Sequence, residues 1–228
     1  PVKDTARVLS RYLDGIVIRT YDQAEAEILA DCGSIPVING LTNFAHPCQV
    51  LADLMTVREH FAQLEGLKMG FVGDGFNMCN SLIVGCLKVG MKVSVATPEG
   101  YEPDAKVLAF AEEMKKQGAS FELSHDIHRA ADNADVLFTD AWIGMGQEAE
   151  AEKRRKAFAG FTVDHDLLSC CKDGVMVQHC LPAHRGEEIT DEVLEEHAEE
   201  IFEESENRLH AQKAVMVMLM SEKTDFHM

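Results

Sequence analysis

The stretch Gly174-Val175-Met176-Val177-Gln178-His179-Cys180-Leu181-Pro182 decides how the chain is read. Val175-Met176-Val177 is a short apolar run of the kind that forms a fully buried strand. It stops on His-Cys-Leu-Pro. Proline ends the strand and stiffens the turn, because it fixes φ and has no N–H to donate. Such a strand end delivers a thiol and two backbone carbonyls to the carboxyl edge of a sheet. In open α/β sheets, ligands bind along that edge. Cysteine is among the most buried residue types, so a strand-end cysteine taken alone is more often structural. Four other segments of this chain place polar residues in the same kind of position.

Outward from this stretch, strands and helices alternate. Strands are predicted at 15–19, 35–39, 68–73, 92–96, 120–123, 135–139 and 175–179, and the first residues already follow a helical pattern. Helices are predicted at 23–31, 47–64, 77–89, 104–117, 127–131, 148–158 and 164–169, with a last one from about 206 to 220. Strands in alternation with helices of this length imply βαβ units and a parallel sheet. Residues 63–66 are the expected passage from one α/β lobe to another. The apolar stretch 214–220 reads as a buried helix end.

Composition narrows the function classes. The chain carries 39 acidic and 21 basic residues, a net charge of −18. That excess disfavours nucleic acid or an anionic membrane as partner. A small anionic substrate needs only a few local arginines. Much of the acidity lies in Glu187–Glu206 and reads as a solvated helix face. No uncharged apolar run approaches the roughly 20 residues that span a bilayer. Pro1-Val2-Lys3-Asp4 opens no signal peptide, and a chain entering a helix so early reads as a fragment. Seven cysteines without C-x-x-C spacing suit reduced thiols in the cytoplasm.

Arg19 directly follows the apolar run Ile16-Val17-Ile18. It is either a salt-bridge residue or a fork for phosphate, which arginine binds through two parallel bonds. In His46-Pro47-Cys48-Gln49 the proline marks a helix start and puts His46 at the cap. The helix field there favours neutral imidazole and a nearby anion. His46 is either a plain cap or a donor that polarises a carbonyl, with Gln49 in reach of the same ligand. Gly73-Asp74-Gly75-Phe76-Asn77 lies between a strand and a helix. The third glycine of a dinucleotide fingerprint is replaced by Met78, and no acidic residue ends the following strand. NAD binding needs both, so the turn instead aims Asn77 at the cleft. Asp140 ends the strand 135–139 and suits an ammonium group or an N-cap, ahead of Trp142, a packing residue, and the turn Gly144-Met145-Gly146. Arg208 in Glu206-Asn207-Arg208 is placed at the start of the last helix, where the dipole disfavours a cation.

Together these clusters resemble the aspartate/ornithine carbamoyltransferase family, in its ornithine branch, over essentially the whole chain. The resemblance implies two Rossmann-like lobes with parallel sheets flanked by helices, the first lobe incomplete here. Residues 1–45 would be the C-terminal part of a carbamoyl phosphate-binding domain, 46–64 an interdomain helix, 65–205 the acceptor domain and 206–228 a helix packing back on the first domain. The implied activity moves the carbamoyl group of carbamoyl phosphate to the side-chain amine of ornithine, giving citrulline and phosphate. Arg19, His46, Gln49 and Arg208 would contact carbamoyl phosphate. Asn77, Asp140, Gly144, Met145, Cys180 and Leu181 would hold ornithine. Arg19, His46, Asp140, Cys180 and Arg208 would be the catalytic set. No metal or organic cofactor is implied, and the family implies a homotrimer or a multiple of it. The family's Ser-Thr-Arg-Thr phosphate cradle does not occur in these residues, and its usual Ser-Met-Gly loop reads Gly144-Met145-Gly146. Those departures leave a putrescine carbamoyltransferase or a non-catalytic binding lobe as alternatives.

Overall fold

Seven strands, every pair parallel, build two sheets in a computed structural model that describes residues 1–221. The first part of the chain runs α1 (Val2–Leu9), β1 (Ile16–Arg19), α2 (Gln23–Cys32), β2 (Val37–Leu41) and α3 (Pro47–Phe61). β1 pairs with β2 from Ile16 opposite Val37, and the register slips between Ile18 and Arg19. A slip of this kind re-aims the side chain at a strand end, here Arg19.

The second part runs β3 (Lys68–Val72), α4 (Asn77–Lys88), β4 (Lys92–Ala96), α5 (Ala105–Lys116), β5 (Phe121–Ser124), α6 (Ile127–Ala131) and β6 (Val136–Thr139). It continues through α7 (Ala151–Ala157), α8 (His165–Leu168), β7 (Met176–His179), α9 (Asp191–Glu196) and α10 (Ala198–Met220). Its five strands lie in the order β5-β4-β3-β6-β7. The chain winds outward from β3 in one direction, then returns to β3's other side as β6. A crevice opens at the carboxyl ends where the winding reverses.

Both faces of this sheet are buried, as parallel sheets require. On one face Met69, Phe71, Val93, Val95 and Phe138 pack against α4 and against Val50, Leu54 and Val57 of α3. On the other, Val72, Leu137 and Val177 meet Ile189, Val193 and Ile201. Aspartate caps start α2, α5, α6 and α8, and Thr190 caps α9, each accepting a backbone N–H. Such caps contribute about 0.5–2 kcal/mol each.

Four expectations change. The last helix starts at Ala198, not near residue 206, so Glu206-Asn207-Arg208 sits inside it and the dipole argument for Arg208 does not apply. The earlier start follows from α9 ending at His197, which also begins α10. The acidic run 187–206 is not wholly solvated, because Glu188 and Glu204 are buried. The apolar stretch near the C-terminus is exposed, from Met216 to Met220. Residues 222–228 of the expected last domain lie outside the described residues. The predicted 148–158 helix opens as a 3₁₀ turn at Glu148–Glu150.

The Gly-x-Gly turn has a packing cause. A Cβ on Gly75 would lie 2.4 Å from the backbone of Tyr101, Glu102 and Pro103. Gly75 N–H donates to the Tyr101 carbonyl at 2.9 Å in the same contact. The second glycine therefore admits a neighbouring loop. Gly75→Ala should cost about 1–3 kcal/mol of stability by overpacking. Denaturant unfolding measures it, and a midpoint equal to wild type would contradict the contact.

Candidate active site

The crevice holds a cavity of about 370 Å³. Its wall brings together Arg19, His46, Asn77, Asp140, Cys180 and Arg208. Gly144, Met145 and Leu181 also line it, so nine of the ten expected site residues share one space. The tenth, Gln49, is fully buried behind the wall.

The strands explain the convergence. β6 and β7 are neighbours with Thr139 opposite His179, so the next residues, Asp140 and Cys180, emerge side by side. Cys180 Sγ donates to Asp140 Oδ1 at 3.0 Å. Burial raises the Cys180 pKa well above the ordinary thiol value, and the Asp140 charge adds to it. The sulfur therefore stays protonated, a hydrogen-bond donor and not a nucleophile. The next turn is held by Leu181 N–H donating to His179 Nδ1 at 2.9 Å. That bond makes Nδ1 an acceptor and leaves Nε2 to donate to buried Glu188 at 3.1 Å. Leu181 sits in the left-handed region at φ 54°. Asp140, His179 and Cys180 place three potential metal donors within 4.8 Å of one another, but the thiol proton and both imidazole nitrogens are already used.

The cationic side is built from distant elements. Arg19 ends β1, His46 precedes α3, and Arg208 lies nearly three turns into α10. The ion-paired arginines are Arg7, Arg129, Arg154, Arg155 and Arg185. Arg19 and Arg208 are not among them in the described residues. Burial lowers the His46 pKa to about 3, with help from the charges of Arg208 and Arg19. The neutral imidazole expected from the helix terminus is present, with desolvation as its main cause. Its Nδ1 is buried without a hydrogen-bond partner.

Asn77 Nδ2 donates to the Thr42 carbonyl at 2.7 Å and so bridges the start of α4 to the end of β2. Trp142 is packing, as expected: it is buried against Phe158. In the loop 140–147, Gln147 Oε1 accepts from Gly144 N–H at 2.8 Å. A Cβ at Gly144 would meet that oxygen at 3.2 Å. The missing serine is thus accompanied by a tight local turn.

Four side chains went unrecognised in the sequence. Arg154 of α7 is buried and donates through Nε to the Trp142 carbonyl at 2.5 Å. It also pairs with Asp74 and stacks on Tyr101 and Phe158. Asp74, pushed up to about 6 by burial against the pull of Arg154, lies in the cavity wall. Asp53 and Glu204 are buried beside Gln49. Arg154 stands in Lys153-Arg154-Arg155-Lys156, which carries no sign of burial; only the alternating exposure of an amphipathic turn hints at it.

Residues 1–59 match the carbamoyl-P binding domain of aspartate/ornithine carbamoyltransferases, and residues 65–219 match the Asp/Orn binding domain. The chain belongs to the aspartate/ornithine carbamoyltransferase family. It is 53% identical to an ornithine carbamoyltransferase of Carboxydothermus hydrogenoformans over 96% of its own length and 71% of that protein. It is 54% identical to one of Pyrococcus horikoshii, over 96% and 69%. The ornithine carbamoyltransferase structure of Pyrococcus furiosus superposes with a TM-score of 0.91 at 51% identity, covering 98% of this chain and 72% of that one. An anabolic enzyme of that name from Campylobacter jejuni gives 0.92 at 37% identity, over 96% and 73%.

A buried histidine that stays neutral leaves a signature. The unfolded chain takes a proton near pH 6.5 and the folded chain only near 3. Stability contributed by neutral His46 is present above the unfolded value and falls as pH drops towards 3, by up to about 1.4 kcal/mol per pH unit. His46→Gln should remove that slope. NMR should show no His46 ring titration between about pH 5 and about pH 8; a midpoint near the ordinary value would contradict the burial.

Proposed function

We propose that this protein transfers the carbamoyl group from carbamoyl phosphate to the side-chain amine of L-ornithine, giving L-citrulline and phosphate. One observation carries the reading: two guanidinium groups that have no carboxylate partner among the described residues and a neutral imidazole share a single cavity with a thiol–carboxylate pair. The family membership supports it. Neither putrescine transfer nor a non-catalytic role draws support from the comparisons.

Arg19 and Arg208 suit the phosphate and carbonyl oxygens of the donor, since each is a charge-assisted donor with no competing carboxylate. Neutral His46 donates one N–H to the carbonyl oxygen. Together with Arg19 it stabilises the oxyanion that grows as the amine attacks, a term that removal of one donor typically shows to be worth about 2.7–4 kcal/mol. Gln49 completes the donor side. Asn77, Gly144, Met145 and Leu181 hold the amino-acid end of ornithine. Asp140 and the Cys180 thiol orient its side-chain amine, which must be neutral to offer a lone pair. The new C–N bond forms, the C–O bond to phosphate breaks, and the amine's proton leaves with the phosphate. Much of the acceleration then comes from orientation. Seven free cysteines fit a reducing compartment such as the cytoplasm. A homotrimer or a multiple of it is the assembly this reading expects, which light scattering would reveal.

Release of phosphate and of the carbamoylated amine from carbamoyl phosphate with ornithine, putrescine or aspartate tests the activity. Product from ornithine alone is expected, and equal rates with putrescine would refute the acceptor assignment. Cys180→Ala should raise KM for ornithine more than KM for carbamoyl phosphate; the reverse would contradict its role. Arg19→Ala should lower kcat and weaken phosphate binding, and unchanged kinetics would remove it from the mechanism.

A further inference from the structure

Behind Gln49 lie two buried carboxyl groups, Asp53 and Glu204, that the transfer step does not use. Gln49 Nε2 donates to Asp53 Oδ1 at 2.8 Å and to Glu204 Oε1 at 2.9 Å. The other Glu204 oxygen accepts the His179 backbone N–H at 3.0 Å. Asp53 is 0% exposed and Glu204 1%. Among the described residues, Gln49 Oε1 and Asp53 Oδ2 have no hydrogen-bond partner. Two acceptors on one side dictate which way the amide faces. Its nitrogen turns inward and its carbonyl oxygen stays free.

We propose that Asp53 and Glu204 are positioning residues for the reaction: they fix the Gln49 amide with its oxygen available to the donor substrate's –NH₂ group, and tie α3, α10 and the Cys180-bearing end of β7 together. The proposal rests on the functional reading above and gives Gln49 its orientation. An orphaned amide oxygen, fully buried, is costly unless a ligand satisfies it. The carbamoyl nitrogen is a donor of the right kind.

Two carboxyl groups in contact inside a protein cannot both ionise at ordinary pH. Burial pushes Asp53 up to about 7 from 3.8, and raises Glu204 well above its usual value. The groups facing the pair are Gln49 on α3, Arg208 on α10, Cys86 on α4, Asp140 after β6, and Cys180 and the His179 N–H on β7. Arg208 pulls the Asp53 value down and Asp140 pushes it up. At least one proton therefore stays in the pair at neutral pH. The folded-state value exceeds the unfolded one, so the associated stability is fully present below the unfolded value and is lost as pH rises towards 7.

The neutral amide of Asp53→Asn mimics the protonated acid. It should lessen the fall in stability between about pH 4 and about pH 7, leaving the share that buried Glu204 and Asp74 contribute. Asp53→Ala should raise KM for carbamoyl phosphate about tenfold and change KM for ornithine less than about threefold, with Asp53→Asn recovering most of the loss. A pH slope undiminished in Asp53→Asn would overturn the proposal. So would equal damage from Asn and Ala, an equal rise in both KM values, or an Asn variant that does not fold. The slope is read by unfolding alone, so it decides the proton even if the enzyme makes no citrulline and the functional reading fails.

Discussion

The hydrogen bond from Cys180 to Asp140 is the constraint on which the rest of the crevice depends. It is a product of register. Parallel pairing of β6 and β7 with Thr139 opposite His179 leaves the following two residues no choice but to emerge together. Burial, with the Asp140 charge and this bond adding to it, keeps the thiol protonated in a site where a thiolate would be a competing nucleophile. The bond also sets one wall of the cavity against which the arginines and His46 are measured.

The electrostatics invert the composition. The chain is strongly acidic as a whole, yet its crevice presents two arginines without a carboxylate partner among the described residues. Burial raises Asp53 and Glu204 above their ordinary values, and Asp74, also raised, is already paired with Arg154. The same desolvation holds His46 neutral. A site tuned this way suits an anion and an uncharged hydrogen-bond donor for a carbonyl, as the proposed function requires. Across the crevice, buried Arg154 braces the acceptor loop by spanning Asp74 and the Trp142 carbonyl.

Most of the fold was legible because parallel strands are short apolar runs with sharp polar ends. Each predicted strand lies within two residues of its observed position. The strand-end and helix-start residues Arg19, His46, Asn77, Asp140 and Cys180 could be read for the same reason: topology alone sends those positions to one edge. Arg208 was found by its motif and for a mistaken physical reason, since it lies within α10 and not at its start. Asn207, next to it, is committed to Thr56 and Glu59 and ties α10 to α3. Glu204 was hidden because an acidic run looks solvated, and only the packing of α10 on α3 buries one member of it. Arg154 was hidden among basic neighbours. In both cases burial is decided by a partner far along the chain, which local pattern does not record.

The most direct measurement is a crystal structure with a phosphonate analogue that joins the two substrates. The phosphonate is predicted to lie between Arg19 and Arg208, with its carbonyl oxygen at His46 and its amino-acid end beside Asn77 and Met145. An analogue seated away from Cys180 and Asp140, or one bound without contact to either arginine, would contradict the account.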